Sequence, residues 1–200
     1  MSYAIIGFGK IGQALAHAFA RKNIEVTVAS RRRPEELEPQ AHAIGPKVVA
    51  KLLQEARKAD IIFLAIPFGE HRDVAMELPS WEGKTIIDAM NSFPVPPEEL
   101  DGLPSSAFVA KSFPGAKVVK GFNHLGAAKL ATDPEVEGGH RVIFLSSDDD
   151  DAIAPVADLA KELGFAPVKL GKLNEGGWLV HARGRTWGQL IFQDVFKKQQ

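Results

Sequence analysis

The stretch Ala4-Ile5-Ile6-Gly7-Phe8-Gly9-Lys10-Ile11-Gly12 decides the fold of this chain of 200 residues. It is a short apolar run that stops at a glycine, followed by glycines at the spacing G-x-G-x-x-G. The apolar run predicts a buried parallel strand at residues 3–6. The glycines predict a tight turn, a backbone that an anion can approach closely, and a helix packed close to the strand.

The residues after this loop predict the helix whose amino terminus would face the anion. Apolar residues recur at helical spacing, namely Ile11, Ala14, Leu15, Ala18 and Phe19. A second strand follows at residues 25–29, which completes a βαβ unit. We therefore expect the loop to bind a dinucleotide pyrophosphate through Gly7, Phe8, Gly9, Lys10, Ile11 and Gly12. The alternative is a glycine-rich turn that binds no ligand.

The turn after the second strand indicates which dinucleotide is bound. An NAD-dependent protein usually carries Asp or Glu here, which accepts a hydrogen bond from the ribose 2′-hydroxyl. In this chain Ser30, Arg31 and Arg32 occupy the position. A carboxylate would repel a 2′-phosphate, whereas hydroxyl and guanidinium groups bind one. We predict NADP(H) as the cofactor; NAD, or a solvated basic turn, is the alternative. Arg33 precedes a proline and is expected to point away.

The rest of the chain alternates between strand and helix patterns. Further strands are predicted at residues 47–50, 60–66, 85–88, 117–122, 141–145 and 166–170. Helices are predicted at residues 34–42, 52–58, 71–78, 127–130, 152–163 and 178–197, with a proline-rich loop at residues 93–104. This order predicts an α/β fold with a doubly wound, mainly parallel sheet, the Rossmann NAD(P)-binding fold. We expect a dinucleotide-binding domain at residues 1–173 and a C-terminal helical extension of the same domain at residues 174–200.

Composition narrows the classes of function. The formal net charge of −1 argues against a nucleic-acid partner, and the lack of cysteine excludes disulfides and thiolate chemistry. No apolar run is long enough for a membrane span, so a cytoplasmic protein without a membrane partner is expected. We expect no metal site, because the histidines lack ligand spacing and the acidic run at residues 148–151 precedes a predicted helix. A homodimer is expected through an apolar stripe at Trp187, Leu190, Ile191 and Val195; the alternative is that the stripe covers the protein's own sheet.

Five segments together resemble the family of coenzyme F420 (deazaflavin)-dependent NADP reductases. They are residues 7–12, 29–32, 63–68, 118–124 and 164–171, of which Lys-Gly-Phe-Asn-His at 120–124 and Gly-Phe-Ala-Pro-Val at 164–168 are the more specific. The resemblance covers about residues 3–173, and the same domain is the NADPH module of certain transmembrane metalloreductases. It implies hydride transfer between NADP(H) and a small-molecule redox acceptor, with coenzyme F420 or a flavin as the co-substrate.

The resemblance also implies roles for residues beyond the glycine loop. Ala65, Ile66 and Pro67 would line the nicotinamide ribose, and Asn91 would lie beside the nicotinamide. Phe122, Asn123 and His124 would close the substrate side. No catalytic acid or base is obligatory for direct hydride transfer, and His124 is the candidate should the acceptor be a carbonyl. The pattern is lost after about Leu173, which leaves the acceptor open.

Other classes of protein share the first domain. A short-chain dehydrogenase needs a catalytic tyrosine, but the single tyrosine, Tyr3, lies in the first strand. A small imino-acid or hydroxyacid dehydrogenase usually carries a further helical domain of on the order of 100 residues, and about 30 follow the last predicted strand here. This class is therefore less favoured, although dimerisation could complete a small site. A non-enzymatic NADP(H)-binding sensor or regulatory module remains the main alternative to an NADP-dependent oxidoreductase.

Overall fold

The first apolar strand lies near the middle of an eight-stranded sheet. The computed structural model describes residues 1–93 and 95–181. The strands of the sheet are β1 Tyr3–Ile6, β2 Val26–Ala29, β3 Val48–Ala50, β4 Ile61–Leu64, β5 Thr85–Asp88, β6 Lys117–Lys120, β9 Val142–Ser147 and β10 Ala166–Lys169. Between β6 and β9 a short hairpin is formed by β7 Glu135–Val136 and β8 Gly139–His140.

The strand order is β10-β9-β6-β5-β4-β1-β2-β3. Strands β1 to β6 run parallel to one another, whereas β9 pairs antiparallel with β6, and β10 pairs parallel with β9. The order turns back between β1 and β4, since β2 and β3 lie on one side of β1 and β4 to β6 on the other. Ligands bind at such a switch point, outside the carboxyl ends of the strands.

Helices cover both faces of the sheet. They are α1 Lys10–Arg21, α2 Pro34–Ile44, α3 Leu53–Ala56, α4 His71–Met76, α5 Ser105–Ala110, α6 Ala127–Ala131, α7 Asp150–Glu162 and α8 Gly176–Leu179, with 3₁₀ turns at Phe68–Glu70 and Pro97–Leu100. The largest apolar core packs residues of α1, α2, α6 and α7 on the sheet, and a second packs residues of α3, α4 and α5. A small third cluster contains Val142, Phe144 and Val180. The doubly wound, mainly parallel fold predicted from the sequence is confirmed.

The acidic run at residues 148–151 starts a helix, as predicted. The carboxylate of Asp149 accepts hydrogen bonds from the backbone N–H groups of Asp151 and Ala152, at 3.0 and 3.2 Å. These bonds satisfy two of the free N–H groups at the start of α7. Within the described part of the chain, no helix combines the length and the apolar character needed to cross a membrane.

Two predictions about secondary structure were wrong. The predicted loop at residues 93–104 contains the 3₁₀ turn Pro97–Leu100, and the helix α5 that follows it was not predicted. Pro104 is the extended N-cap residue of α5, and proline is compatible with this place because its missing N–H is not needed for the helix. The helix predicted from residue 178 starts at Gly176 and ends at Leu179, because Val180 and His181 leave helical geometry. Its continuation, with the proposed dimer stripe at Trp187, Leu190, Ile191 and Val195, lies outside the described residues.

Candidate dinucleotide site

A cavity of about 460 Å³ opens at the switch point of the sheet. It is bordered by the residues that follow β1, β2 and β4, which are neighbouring strands. Of the residues predicted to bind the cofactor, it brings together Gly7, Phe8, Gly9, Ser30, Arg31, Arg32, Ala65, Ile66 and Pro67. The three turns therefore form one continuous wall, and its position matches that of a dinucleotide in this class of fold.

Each glycine of the loop has a distinct environment. Gly7 has a φ of 101°, and a Cβ there would overlap the carbonyl group of Ala65. A Cβ on the buried Gly12 would overlap the carbonyl oxygen of Gly7, so Gly12 lets α1 pack against the loop. A Cβ on Gly9 would meet no atom within 4 Å, because it would point into open space at the start of α1. That space is where the backbone can approach a phosphate.

The remaining residues of the glycine loop lie around the start of α1. Lys10 is its first residue and is exposed, and Ile11 is half-buried against the larger core. No side chain caps this helix end, since the residue before Lys10 is Gly9. The first N–H groups of an α-helix have no partner within the helix, so this end of α1 can bind an anion.

The turn after β2 places two guanidinium groups on the cavity. The backbone N–H of Arg32 donates to Ser30 Oγ at 3.1 Å, which shapes the turn. Arg31 reaches across to Glu70, with an Nη2 to Oε1 distance of 2.5 Å. Arg33 is the N-cap of α2, where its backbone N–H donates to Glu36 Oε1, and it does not line the cavity. The expectation that Arg33 points away therefore agrees with its position.

The cavity also has an acidic wall, which was not predicted from the sequence. Glu70, Asp73 and Glu77 line the cavity from α4 and its flanking residues, together with the apolar Val74. Their spacing of three and four residues is that of one helix face, so the sequence did contain a signal for a shared surface. Glu77 is already paired, since its carboxylate lies 2.9 Å from the guanidinium of Arg57.

Asn91 and Asn123 lie together past the carboxyl ends of β5 and β6. The side-chain amide of Asn91 donates to the backbone oxygen of Asn123 at 2.9 Å, and Asn123 Nδ2 donates to Asn91 Oδ1 at 3.0 Å. Asn123 Nδ2 also donates to the carbonyl oxygen of Val180 at 2.8 Å. Neither amide lines the cavity described above. The residues predicted to bind the cofactor thus form two groups. One group follows β1, β2 and β4 and lines the cavity, and the other follows β5 and β6.

The side chain of Phe122 lies in the core, which corrects the prediction that it closes the substrate side. Phe122 is fully buried, and its ring packs edge-on against Phe63 and Phe165, with centroid distances of 5.3 and 5.9 Å. A φ of 60° at Phe122 turns the chain just after β6. This turn directs the aromatic ring into the core and the next side chain, Asn123, towards Asn91.

His124 is also unsuited to the role of acid. It is 8% exposed, and its Nε2 donates to the carbonyl oxygen of Val142 at 3.0 Å. Burial lowers the pKa of His124 to about 4, although the hydrogen bond to Val142 opposes the shift. The ring is therefore neutral at pH 7, and it has no imidazolium proton to give to a carbonyl substrate.

The fold and the cavity define the class: a dinucleotide-binding protein with a Rossmann sheet. Residues 2–92 match the family model described as NADP oxidoreductase, coenzyme F420-dependent. The matched residues include the glycine loop and the turn after β2, and the match agrees with the resemblance seen in the sequence.

The chain is also similar to individual proteins. It is 30% identical over 174 residues to the metalloreductase STEAP3 of Rattus norvegicus and 29% identical over 182 residues to the metalloreductase STEAP2 of Mus musculus. The first match covers 84% of this chain and 33% of the relative, and the second covers 87% and 34%. The chain thus spans about one third of the length of the curated relatives it matches.

Solved structures share the fold over most of the chain. A hypothetical protein from Sinorhizobium meliloti is 40% identical, with a TM-score of 0.87 over 94% of this chain and 93% of that one. A candidate F420-dependent NADP reductase from Arthrobacter sp. FB24 is 27% identical, with a TM-score of 0.70 over 86% of both chains. An imine reductase from Aspergillus terreus, at 19% identity and a TM-score of 0.63 over 86% of this chain and 55% of that one, shares the fold alone.

Proposed function

We propose that the chain transfers hydride between NADP(H) and a flavin-like or deazaflavin acceptor. The observation that carries the proposal is the cavity at the switch point, where a glycine loop and two guanidinium groups share one wall. Names of relatives support the two halves of the reaction. The Arthrobacter structure is called an F420-dependent NADP reductase, which names both the dinucleotide and the acceptor, and the curated relatives are called metalloreductases, a name that fits redox chemistry in general.

The geometry of the cavity fits NADP(H). The pyrophosphate would lie at the start of α1, where the missing Cβ of Gly9 leaves open space. The 2′-phosphate would bind Ser30, Arg31 and Arg32, which present a hydroxyl and two cations rather than a carboxylate. The adenine would contact Leu53 and Val74, the apolar residues on the α3 and α4 side of the cavity. Lys10, Ile11 and Gly12 would contribute through the backbone at the start of α1.

The nicotinamide end would extend past β4. Ala65, Ile66 and Pro67 would line its ribose, and Asn91 and Asn123 would lie beyond them, past the neighbouring strand β5. The bound cofactor supplies the hydride, which the acceptor ring takes up together with a proton from solvent. The protein's contribution would be to bind both rings and hold them in contact. The neutral, buried His124 favours an acceptor whose ring stores the hydride over a carbonyl that needs an acid.

The acceptor would approach from the side of the C-terminal segment. Val180 contacts Asn123, and Ser92 Oγ lies 3.3 Å from His181 Nε2, so residues after α8 border the nicotinamide end. We propose that residues 174–200 belong to the same domain as residues 1–173 and form part of the acceptor site. The cytoplasmic location and the homodimer both remain predictions. Sedimentation of the purified protein at several concentrations would test the oligomeric state.

A panel of acceptors tests the proposed reaction. The protein is mixed with NADPH and, separately, with oxidised coenzyme F420, FMN, FAD or a quinone, while absorbance at the nicotinamide band is followed. We expect turnover with F420 or a flavin, and its loss in the variant Arg31→Ala/Arg32→Ala at subsaturating NADPH. Tight NADPH binding without turnover of any acceptor would contradict the proposal and favour an NADP(H)-binding sensor.

A further inference from the structure

A buried ion pair lies at the ends of β5 and β6, three residues before Asn91 and Asn123 along the two segments of chain. Asp88 ends β5 and Lys120 ends β6, and the two residues are partners in the sheet register. Their side chains are 0% and 1% exposed, and Lys120 Nζ lies 3.3 Å from Asp88 Oδ2. Burying two charges is costly, and a pair of apolar side chains of similar size is often as stable. The proposed hydride transfer uses neither group, so the pair calls for a separate explanation.

Both members of the pair hold the backbone of one residue, Met90. The N–H of Met90 donates to Asp88 Oδ1 at 2.9 Å, and Lys120 Nζ donates to the carbonyl oxygen of Met90 at 2.6 Å. Ser106 Oγ in turn donates to Asp88 Oδ2 at 2.5 Å, which fixes the carboxylate from α5. Hydrogen bonds to charged groups are stronger and shorter than bonds between neutral groups. The chain just after β5 is therefore fixed through the two peptide groups on either side of Met90.

Met90 directly precedes Asn91, so its fixed backbone sets where the Asn91 side chain starts. Asn91 uses one N–H and one oxygen lone pair on Asn123. A side-chain amide has two N–H donors and two lone pairs on its oxygen, so one donor and one acceptor remain on Asn91. A primary carboxamide, such as the one on the nicotinamide ring, presents the matching donor and acceptor. The Asn91 amide can thus form a pair of hydrogen bonds with the nicotinamide carboxamide.

We propose that the Asp88–Lys120 ion pair is a positioning device that holds Asn91 in register with the nicotinamide carboxamide. The inference rests on the proposed function, which puts the nicotinamide beside Asn91. It assigns a role in ligand recognition to two residues that cannot touch the ligand. Asp88 and Lys120 act through Met90, and Asn91 makes the contact.

The test compares two ligands that differ at the nicotinamide end. NADPH has both ends, whereas adenosine 2′,5′-bisphosphate carries the adenine and the 2′-phosphate but no nicotinamide. The variant is Asp88→Asn/Lys120→Met, which removes both charges and keeps an oxygen for the Met90 N–H. The matched control makes the same exchanges at the exposed pair of Asp101 and Lys111, whose Nζ to Oδ2 distance is 3.1 Å.

Calorimetric titration gives the dissociation constants, and circular dichroism confirms the fold. For Asp88→Asn/Lys120→Met we expect a rise of about tenfold in Kd for NADPH, as for the loss of one or two hydrogen bonds. The Kd for adenosine 2′,5′-bisphosphate should change less than about twofold, and the control should leave both ligands unchanged. A merely structural role would weaken both ligands alike or lower only the melting temperature, and either result would overturn the proposal.

Two further variants keep the test decisive. If the double variant does not fold, Asp88→Asn alone should raise Kd for NADPH selectively by about threefold, since the neutral amide holds Lys120 and Ser106 less firmly. Asn91→Ala separates the inference from the proposed function. A selective loss of NADPH binding in Asn91→Ala, without one in the ion-pair variants, would refute the positioning role alone. No selective loss in Asn91→Ala would refute the nicotinamide placement itself, and the positioning role with it.

Discussion

Replacing Gly9 by alanine should separate the binding of the pyrophosphate from the stability of the fold. The backbone of Gly9 has φ −81° and ψ −163°, which any residue adopts. An alanine Cβ would meet no protein atom within 4 Å, so the folded chain can accommodate it. The same Cβ would occupy the space in which a pyrophosphate approaches the start of α1.

The expected magnitudes differ sharply between the two properties. Alanine is a poorer helix N-cap than glycine, and this difference lowers the free energy of unfolding by up to about 1 kcal/mol. Alanine also restricts the unfolded chain, which raises the free energy of unfolding by about 0.4–1 kcal/mol. The free energy of unfolding should therefore change by less than about 1 kcal/mol. The loss of one charge-assisted hydrogen bond to phosphate costs about 1.5–3 kcal/mol, which raises Kd for NADPH about 10- to 150-fold.

Urea unfolding and calorimetric titration measure the two effects on the same samples. Gly126→Ala is the matched control, because Gly126 is also the N-cap of a helix, has φ −64° and ψ 151°, and has nothing within 4 Å of its Cβ position. The control should bind NADPH as the wild type does. A folded Gly9→Ala variant with unchanged Kd would refute the placement of the pyrophosphate.

Three further predictions concern other parts of the chain. Arg31→Ala/Arg32→Ala should raise Kd for NADPH about 100-fold or more but Kd for NADH less than about threefold, since only NADPH carries the 2′-phosphate; equal losses in calorimetry would contradict the assigned turn. Gly12→Ala should lower the free energy of unfolding by at least about 1–3 kcal/mol in urea, because its Cβ overlaps a carbonyl oxygen, and an unchanged midpoint would show that the loop can shift. The pKa of His124 is lowered from 6.5 to about 4 by burial, so its neutral form contributes stability that is complete above pH 6.5 and lost as pH falls to about 4. That loss is about 3 kcal/mol between pH 7 and pH 4. The variant His124→Gln keeps a hydrogen-bond donor but does not titrate, so its free energy of unfolding in urea should fall by about 3 kcal/mol less than that of the wild type over this pH range. An equal fall in both proteins would assign the pH dependence to other groups.

The residues that line the cavity could be predicted because their signals are local in sequence. The glycine loop and the Ser30–Arg32 turn each encode a backbone shape or a charge within a few residues. The strands β1 and β4 were equally clear, since continuous apolar runs mark strands buried on both faces. Even the unpredicted acidic wall at residues 70–77 follows from helical spacing once α4 is recognised.

The contact between Asn91 and Asn123, at the proposed nicotinamide end, could not be predicted in the same way. Asn91 and Asn123 are 32 residues apart, as are Asp88 and Lys120, and only the register of β5 with β6 brings them together. Phe122 was misassigned because the local sequence does not reveal the left-handed turn that sends its ring into the core. A buried lysine is a further exception, since lysine in a strand pattern normally indicates a solvated position.

Binding of NADPH and NADH to the unmodified protein tests the central claim, a cavity built for NADP(H), most directly. Calorimetric titration of both dinucleotides into the same sample gives the ratio of their dissociation constants. We expect NADPH to bind about 100-fold more tightly or better, because two charge-assisted contacts to the 2′-phosphate have no counterpart in NADH. Equal affinities, or tighter binding of NADH, would contradict the claim.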